Sequence, residues 1–309
     1  MKSLLRFLKW VVVGVVCGFV CIEILFWYLN LDKTRVFFDV AGQLGRVETV
    51  SAQETDTSSI RQLKIYNDRG DYLVDCWYRR PRHLTANYRA LVMYSGVTTK
   101  EAVLDLVPEW PDIVICAIQY PYERPRTFVE YLRWPCTVRG AAYQVVGGGI
   151  LATTFLIERE KLEAGRMTIV GASLGSIFGG IHGSLDTRIP KTLIVHGGGN
   201  FRAITLAYPR LKEKGRPVLF YAWLGDRVFG TFDPLRYVDR ISPRELIILA
   251  TRNDRYFPPE SAQSLYDRAK EPKKIFWRET AHLQSKQSDV LDSILNSLRG
   301  YLFSDTMPG

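Results

Sequence analysis

Across 309 residues, 47% are hydrophobic and 24% charged, which is enough apolar material for one large core or two small ones and argues against a disordered chain. The formal charge is +9, yet no run of Lys and Arg exceeds two residues, a pattern of a basic surface facing anionic lipid headgroups or acidic polymers and not of a nucleic-acid stripe. The five cysteines show neither Cys-x-x-Cys nor His/Cys metal spacing, so they read as free thiols and no metal or organic cofactor is expected.

The first element is apolar. Trp10 to Leu29 spans twenty residues, about 30 Å as a helix, which matches the hydrocarbon core of a bilayer. Trp10, Trp27 and Tyr28 stand at its ends, where amphipathic rings prefer the headgroup zone. The small-residue site of a cleaved signal peptide is missing, and Val16 and Val20 occupy the places a lipoprotein signal reserves for small residues. Residues 1–30 are therefore expected to be an uncleaved, single-pass membrane anchor, with Glu23 as its one costly residue. Lys2, Arg6 and Lys9 precede the span, which predicts a cytoplasmic N-terminus and the bulk of the chain on the opposite side. Residues 31–57, polar towards their end, read as a tether, and 58–309 as the folded domain.

Next, "RQLKIY" and "YLVDCWY" flank the turn formers "NDRGD", which predicts a hairpin. Six further runs come after it: "RALVMYSG", "DIVICAIQY", "RMTIVGAS", "KTLIVHGG", "ELIILATRND" and "KKIFWRE". Most lack strict alternation, as strands buried on both faces do. The uncharged stretch 140–157 carries three consecutive glycines and a Gln, so it reads as a buried helix and not as a second span. Apolar positions Ala262, Leu265, Tyr266 and Ala269, and later Val290, Leu291, Ile294, Leu295, Leu298 and Leu302, have helical spacing. The expectation is an α/β fold: an eight-stranded, mostly parallel sheet with helices on both faces, preceded by one transmembrane helix, with 199–243 as a lid-like insertion.

In such a sheet, chemistry collects where strands end. "TIVGASLGSIFGG" puts Ser173 at the exit of the fifth strand, between Gly171 and Gly175 and ahead of a helix. A strand-to-helix turn that sharp admits only small neighbours and lifts the hydroxyl clear. A serine needs a base. His83 lies in a hinge and His182 nine residues down the helix from Ser173; His196 closes the sixth strand and stays in reserve, and His282 at the mouth of the last strand is the first choice. Asp254 comes just after the seventh strand, 28 residues before His282, and is the expected orienting acid, with Asp226 as the alternative.

The order Ser173, Asp254, His282, each at a strand exit, resembles the α/β-hydrolase superfamily over roughly residues 58–305. "DPLRYVDRI", "ELIILATRNDRYFPP" and "KKIFWRETAHL" are similar to its dienelactone-hydrolase and carboxylesterase-like branch. The resemblance implies an eight-stranded α/β-hydrolase sheet, a nucleophilic Ser173, His282 as general base and an orienting Asp254. By position it implies that the backbone N–H groups of Leu174 and Val97 hold the oxyanion. Tyr94-Ser95-Gly96 departs from the His-Gly frequent in the family. "HGGG" at 196–199 comes after the sixth strand, the wrong place for an oxyanion motif, and reads as a flexible entry to the lid. Tyr120, Tyr122 and Trp223 are candidate substrate contacts, with Tyr221 and Phe229 beside them in the insertion. The expected activity is hydrolysis of small-molecule or lipid-like esters through an acyl-enzyme, without a nucleic-acid partner. Acyl transfer by the same residues, and a silent binding or scaffold domain at the membrane, stay open.

Overall fold

A computed structural model describes residues 2–96, 103–104, 107–122, 125–213, 215, 217–282 and 299–300. Val97 and the helical periodicity from Val290 to Leu302 lie outside the described residues.

Helix α1 (Lys2–Leu29) stands with almost all of its length exposed, and its segment from Arg6 to Leu29 is long and apolar enough to cross a membrane. The segment after α1 departs from the expected tether. Residues Thr34–Ala41 form a helix, α2, and Leu44–Glu54 form a strand, β1. Asp32, just ahead of α2, accepts from the Thr34 N–H at 2.8 Å, while the Arg240 guanidinium donates to its other oxygen at 2.7 Å. Burial would raise the Asp32 pKa, but the hydrogen bonds from Thr34 and Arg240 outweigh it and hold the carboxyl at about 2. Phe37 then seats α2: it is fully buried, with its ring 5.1 Å from that of Tyr143 and 5.9 Å from that of Tyr237. The segment is pinned to the domain.

Among the described residues the sheet has nine strands, the eight expected plus β1. After β1 come β2 (Ser58–Asn67), β3 (Tyr72–Pro81), β4 (Arg89–Tyr94), β5 (Ile113–Ile118), β6 (Met167–Ala172), β7 (Lys191–Val195), β8 (Glu245–Asn253) and β9 (Lys273–Ala281), in the spatial order β1-β2-β3-β5-β4-β6-β7-β8-β9. The first three pair antiparallel, β3 meets β5 antiparallel, and β4 to β9 are parallel. The chain order reverses at β4, which lies between β5 and β6. In open α/β sheets, ligand sites gather beyond the strands' carboxyl ends at such a reversal.

The pleat sorts side chains between two cores: on β4, Ala90, Val92 and Tyr94 face one side while Leu91 and Met93 face the other. On the first side lie α3 (Phe128–Glu158), α4 (Gly175–Leu185) and α8 (Pro259–Arg268). Residues 103, 104, 107 and 110 pack on the second. Helix α3 starts with a capping box, in which Thr127 accepts from the Glu130 N–H and the Glu130 carboxylate from the Thr127 N–H. Its C-terminal half is buried, as its three glycines require. A Cβ on Gly147 would lie 3.1 Å from the Ala41 nitrogen, one on Gly148 2.5 Å from Val74, and one on Gly149 1.7 Å from the Tyr94 hydroxyl. Each glycine admits a different neighbour: α2, β3 and β4.

Between β7 and β8 the chain is helical, with α5 (Phe201–Ala207), α6 (Pro209–Glu213), α7 (Val218–Phe229) and three single turns to Arg240. Helix α7 packs on the end of α1. Arg227 forms an ion pair with Glu23, Phe26 meets Trp223 edge-on at 5.8 Å, and the Asn30 amide donates to the Arg227 carbonyl at 2.6 Å. Arg139 of α3 donates to the Val228 and Leu29 carbonyls, which joins α3, α7 and α1 at one point.

Candidate active site

The turn after β6 is built by its glycines. A Cβ on Gly171 would lie 2.7 Å from the Gly175 carbonyl, and one on Gly175 2.2 Å from the Tyr94 carbonyl, so neither place admits a side chain. Ser173 between them takes φ 55, a left-handed conformation that costs a non-glycine residue about 1–3 kcal/mol. The Ser173 N–H donates to the Val195 carbonyl at 3.0 Å and its own carbonyl accepts from the Ser176 N–H at 3.0 Å, which holds the strained residue from both sides. Its hydroxyl stands at the head of α4. The Leu174 N–H opens that helix, where amides have no intrahelical acceptor and favour negative charge.

The Ser173 Oγ lies 2.8 Å from His282 Nε2, and His282 Nδ1 lies 2.6 Å from Asp254 Oδ2. The three residues come from the exits of β6, β9 and β8. Asp254 is itself oriented: its Oδ1 accepts from the Tyr256 and Phe257 N–H groups at 2.8 and 2.9 Å, and its side chain is buried. His282 lies against the Phe257 ring, stacked at 6.1 Å, and edge-on to Tyr256 at 5.1 Å. With a carboxylate on Nδ1, Nε2 is free to accept the serine proton. Such a chain can remove a proton from Ser173 and return it to a leaving group.

The other histidines have different surroundings. His83 is in the loop between β3 and β4. His182 is fully buried, with Nδ1 2.9 Å from the Tyr94 hydroxyl and Nε2 3.3 Å from Asp186. Burial would raise the Asp186 pKa, but hydrogen bonds from Arg188 and His182 reverse the shift and hold the carboxyl well below its usual range. This network ties β4 to α4 behind Ser173, and it explains Tyr94: the ring fills the gap above Gly149 and its hydroxyl meets His182.

His196 is the residue nearest in kind to a second base. It closes β7 with φ 47, is 1% exposed, and neither ring nitrogen has a hydrogen-bond partner among the described residues. Its ring lies 6.4 Å from that of His282. Burial, helped by the charges of His282 and Arg278 and opposed by that of Asp254, lowers its pKa to about 4. It stands neutral beside the site. The glycines after it do not make a flexible entry. Gly198 N–H donates to Ser176 Oγ at 3.1 Å, Ser261 Oγ donates to the Gly199 carbonyl at 2.5 Å, and a Cβ on Gly197 would lie 2.3 Å from Ser176. The turn is closely packed between α4 and α8.

The predicted substrate contacts separate. Tyr120 is half-buried and donates to the Ser95 carbonyl just past β4 at 2.5 Å, and desolvation of its hydroxyl raises its pKa. Tyr122 accepts from Trp134 Nε1 at 2.7 Å. Trp223 packs against Phe26 of α1 and Phe220. Asp226 sits in α7, whereas Asp254 is the acid in contact with His282.

An apolar cavity of about 270 Å³ lies beside the elbow, with Leu174, the residue after Ser173, in its wall. Ile177, Phe178, Phe201, Phe229 and Phe232 line it further, and Trp134 of α3 closes one side. Of these only Phe229 is among the aromatics singled out from the sequence. The spacing 174, 177, 178 on α4 and 201, 204, 205 on α5 carries the signal, because both are i, i+3, i+4 stripes next to a strand exit. Among the described residues no group of three or more His, Cys, Asp and Glu could hold a metal ion.

Residues 212–309, less than half of the chain, match the family described as PhoPQ-activated pathogenicity-related protein. That stretch contains Asp254 and His282. No curated protein matches the chain. Among solved structures it is similar to an acetyl xylan esterase from Paenibacillus sp. R4, with 20% identity and TM-score 0.65 over 88% of this chain and 94% of that one. An acetyl xylan esterase from Thermoanaerobacterium sp. gives 12% identity and TM-score 0.64 over 89% and 95%. A cold-adapted esterase from an Arctic intertidal metagenomic library gives 15% identity and TM-score 0.54 over 80% and 97%. Together with the strand order and the switch at β4, these likenesses identify the architecture as the α/β-hydrolase fold.

Proposed function

We propose that this chain is a serine hydrolase that cleaves carboxylic esters through an acyl-enzyme, anchored in a membrane by α1. The observation that carries the reading is the continuous chain from Ser173 Oγ to His282 to Asp254, 2.8 and 2.6 Å long in its two links. Esterases among the structures of similar fold support the choice of ester bonds.

His282 Nε2 takes the Ser173 proton as Oγ bonds to the carbonyl carbon. The negative oxygen that forms is held by the Leu174 N–H and, by position, that of Val97; each such donor lowers a barrier by about 3 kcal/mol. The ester C–O bond then breaks and the alcohol leaves with the proton from His282. Water repeats the sequence: it gives a proton to His282, its oxygen bonds to the acyl carbon, and the acid departs as Ser173 regains its proton. Asp254 keeps the imidazole turned and offsets the positive charge it acquires. Lys2, Arg6 and Lys9, in the first turns of α1 ahead of its apolar span, support a cytoplasmic N-terminus with the hydrolase domain on the other side.

The test is kcat/KM on p-nitrophenyl butyrate for the full chain, Ser173→Ala and Asp254→Asn. Losses of roughly 10⁴-fold or more for both are expected, as wherever such residues act as a unit. Turnover that survives in Ser173→Ala would overturn the reading.

A further inference from the structure

We propose that the substrate is a membrane lipid ester whose single acyl chain enters the cavity beside Ser173 directly from the bilayer, across the exposed apolar surfaces of α3 and α7. The inference rests on the hydrolase reading above.

Four observations carry it. The cavity wall is apolar from the elbow outward, and its volume of about 270 Å³ falls just under the ~300–1,000 Å³ usual for drug-sized ligands. That is room for one acyl chain and not for two. The first turns of α3 then expose Phe128 (76%) and Leu132 (67%), and the start of α7 exposes Leu219 (72%) and Phe220 (52%). Large apolar side chains clustered in this way mark an interaction surface. Trp134 belongs to both features: it lines the cavity, remains 37% exposed one helical turn from the exposed Tyr131, and meets Phe229 of α7 edge-on at 6.2 Å. Surface and cavity share a wall.

Finally, the surface is fixed beside α1. Glu23 pairs with Arg227 and Phe26 packs on Trp223, so α7 meets the apolar helix within its last two turns. Glu23 lies six residues before the end of α1 at Leu29, a depth of roughly 9 Å along a helix. Amphipathic helices settle into the headgroup and acyl boundary to about 5–10 Å. If α1 spans the bilayer, α7 lies at that boundary by connectivity, and exposed Arg126 and Arg133 flank the α3 surface with charge suited to anionic headgroups. This placement implies a lipid occupant. The reaction consumes one water per ester bond and releases a fatty acid and a lyso-type alcohol.

The experiment uses the full chain in phosphatidylcholine vesicles containing phosphatidylglycerol, with dioctanoylglycerol in the bilayer and p-nitrophenyl acetate in solution. The readout is the ratio of the two rates. Phe128→Asp combined with Leu132→Asp, and separately Ala142→Phe inside the cavity, should each lower that ratio about tenfold or more. Ile204→Phe narrows the cavity from a half-buried wall and serves if Ala142→Phe does not fold. A ratio unchanged in the folded variants would overturn the proposal. If the surface variant instead changes the oligomeric size with the ratio unmoved, the surface belongs to a second copy and the proposal also falls. Wild-type protein that turns over neither ester would refute the hydrolase reading itself, a result distinct from turnover of the acetate alone, which would refute only the lipid substrate.

Discussion

His196 shows how much a single buried side chain can impose on the site's surroundings. With a folded pKa near 4 against about 6.5 in an unfolded chain, it is neutral in the native state where the unfolded chain would bind a proton. Stability is therefore undiminished above pH about 6.5 and falls as pH drops towards 4. His196→Asn tolerates the left-handed backbone and removes the titration. Urea unfolding at pH 6.5 and 4.5 should show that wild type loses about 2 kcal/mol more across the window than the variant does. Equal losses would place the acid sensitivity elsewhere. Ser173, Asp254 and His282 were legible in the sequence for a different reason: each ends an apolar run, and a parallel sheet brings run ends to one edge. The burial of His196 and the partners of His182 and Tyr94 were not legible, because they depend on which strand lies beside which, and β4 sits between β5 and β6 out of chain order.

At the scale of elements, α3 joins the fold together through its glycines. Gly149→Ala puts a Cβ 1.7 Å from the Tyr94 hydroxyl and should cost about 2–3 kcal/mol, the range of overpacked cores. In a Tyr94→Phe background the same change should cost at least about 1 kcal/mol less, because the oxygen is gone; a double-mutant cycle by chemical denaturation measures the coupling. Additive costs would mean that α3 shifts away instead. The buried nature of residues 140–157 could be read from the glycine run, since three adjacent glycines suit close packing and not a lipid-facing span. The segment 31–57 could not be read so. Helix α2 is amphipathic but only eight residues long, too short for its period to stand out, and β1 leaves most of its positions exposed and so shows no alternation. What orders them is Phe37 in its aromatic pocket and the ladder to β2, both long-range in sequence.

For the whole molecule, the contact between α1 and α7 fixes how the α/β-hydrolase-fold domain sits against the apolar N-terminal helix. Each side chain of the Glu23–Arg227 pair is about a third exposed, so its loss should cost about 1–2 kcal/mol, short of the penalty for a fully buried pair. In vesicles, Arg227→Gln should lower the thermal midpoint of the full chain, and Glu23→Gln in the same chain should recover part of the loss by removing the unpaired carboxylate. No recovery would show that the pair does not bear on the orientation. The central claim, an activated serine at the β6 exit, is tested most directly by labelling the full chain with a fluorophosphonate and locating the adduct by mass spectrometry. The account predicts one labelled peptide, carrying Ser173, that disappears in Ser173→Ala and is strongly diminished in His282→Ala. A folded chain that takes no label, or takes it at another residue, would contradict it.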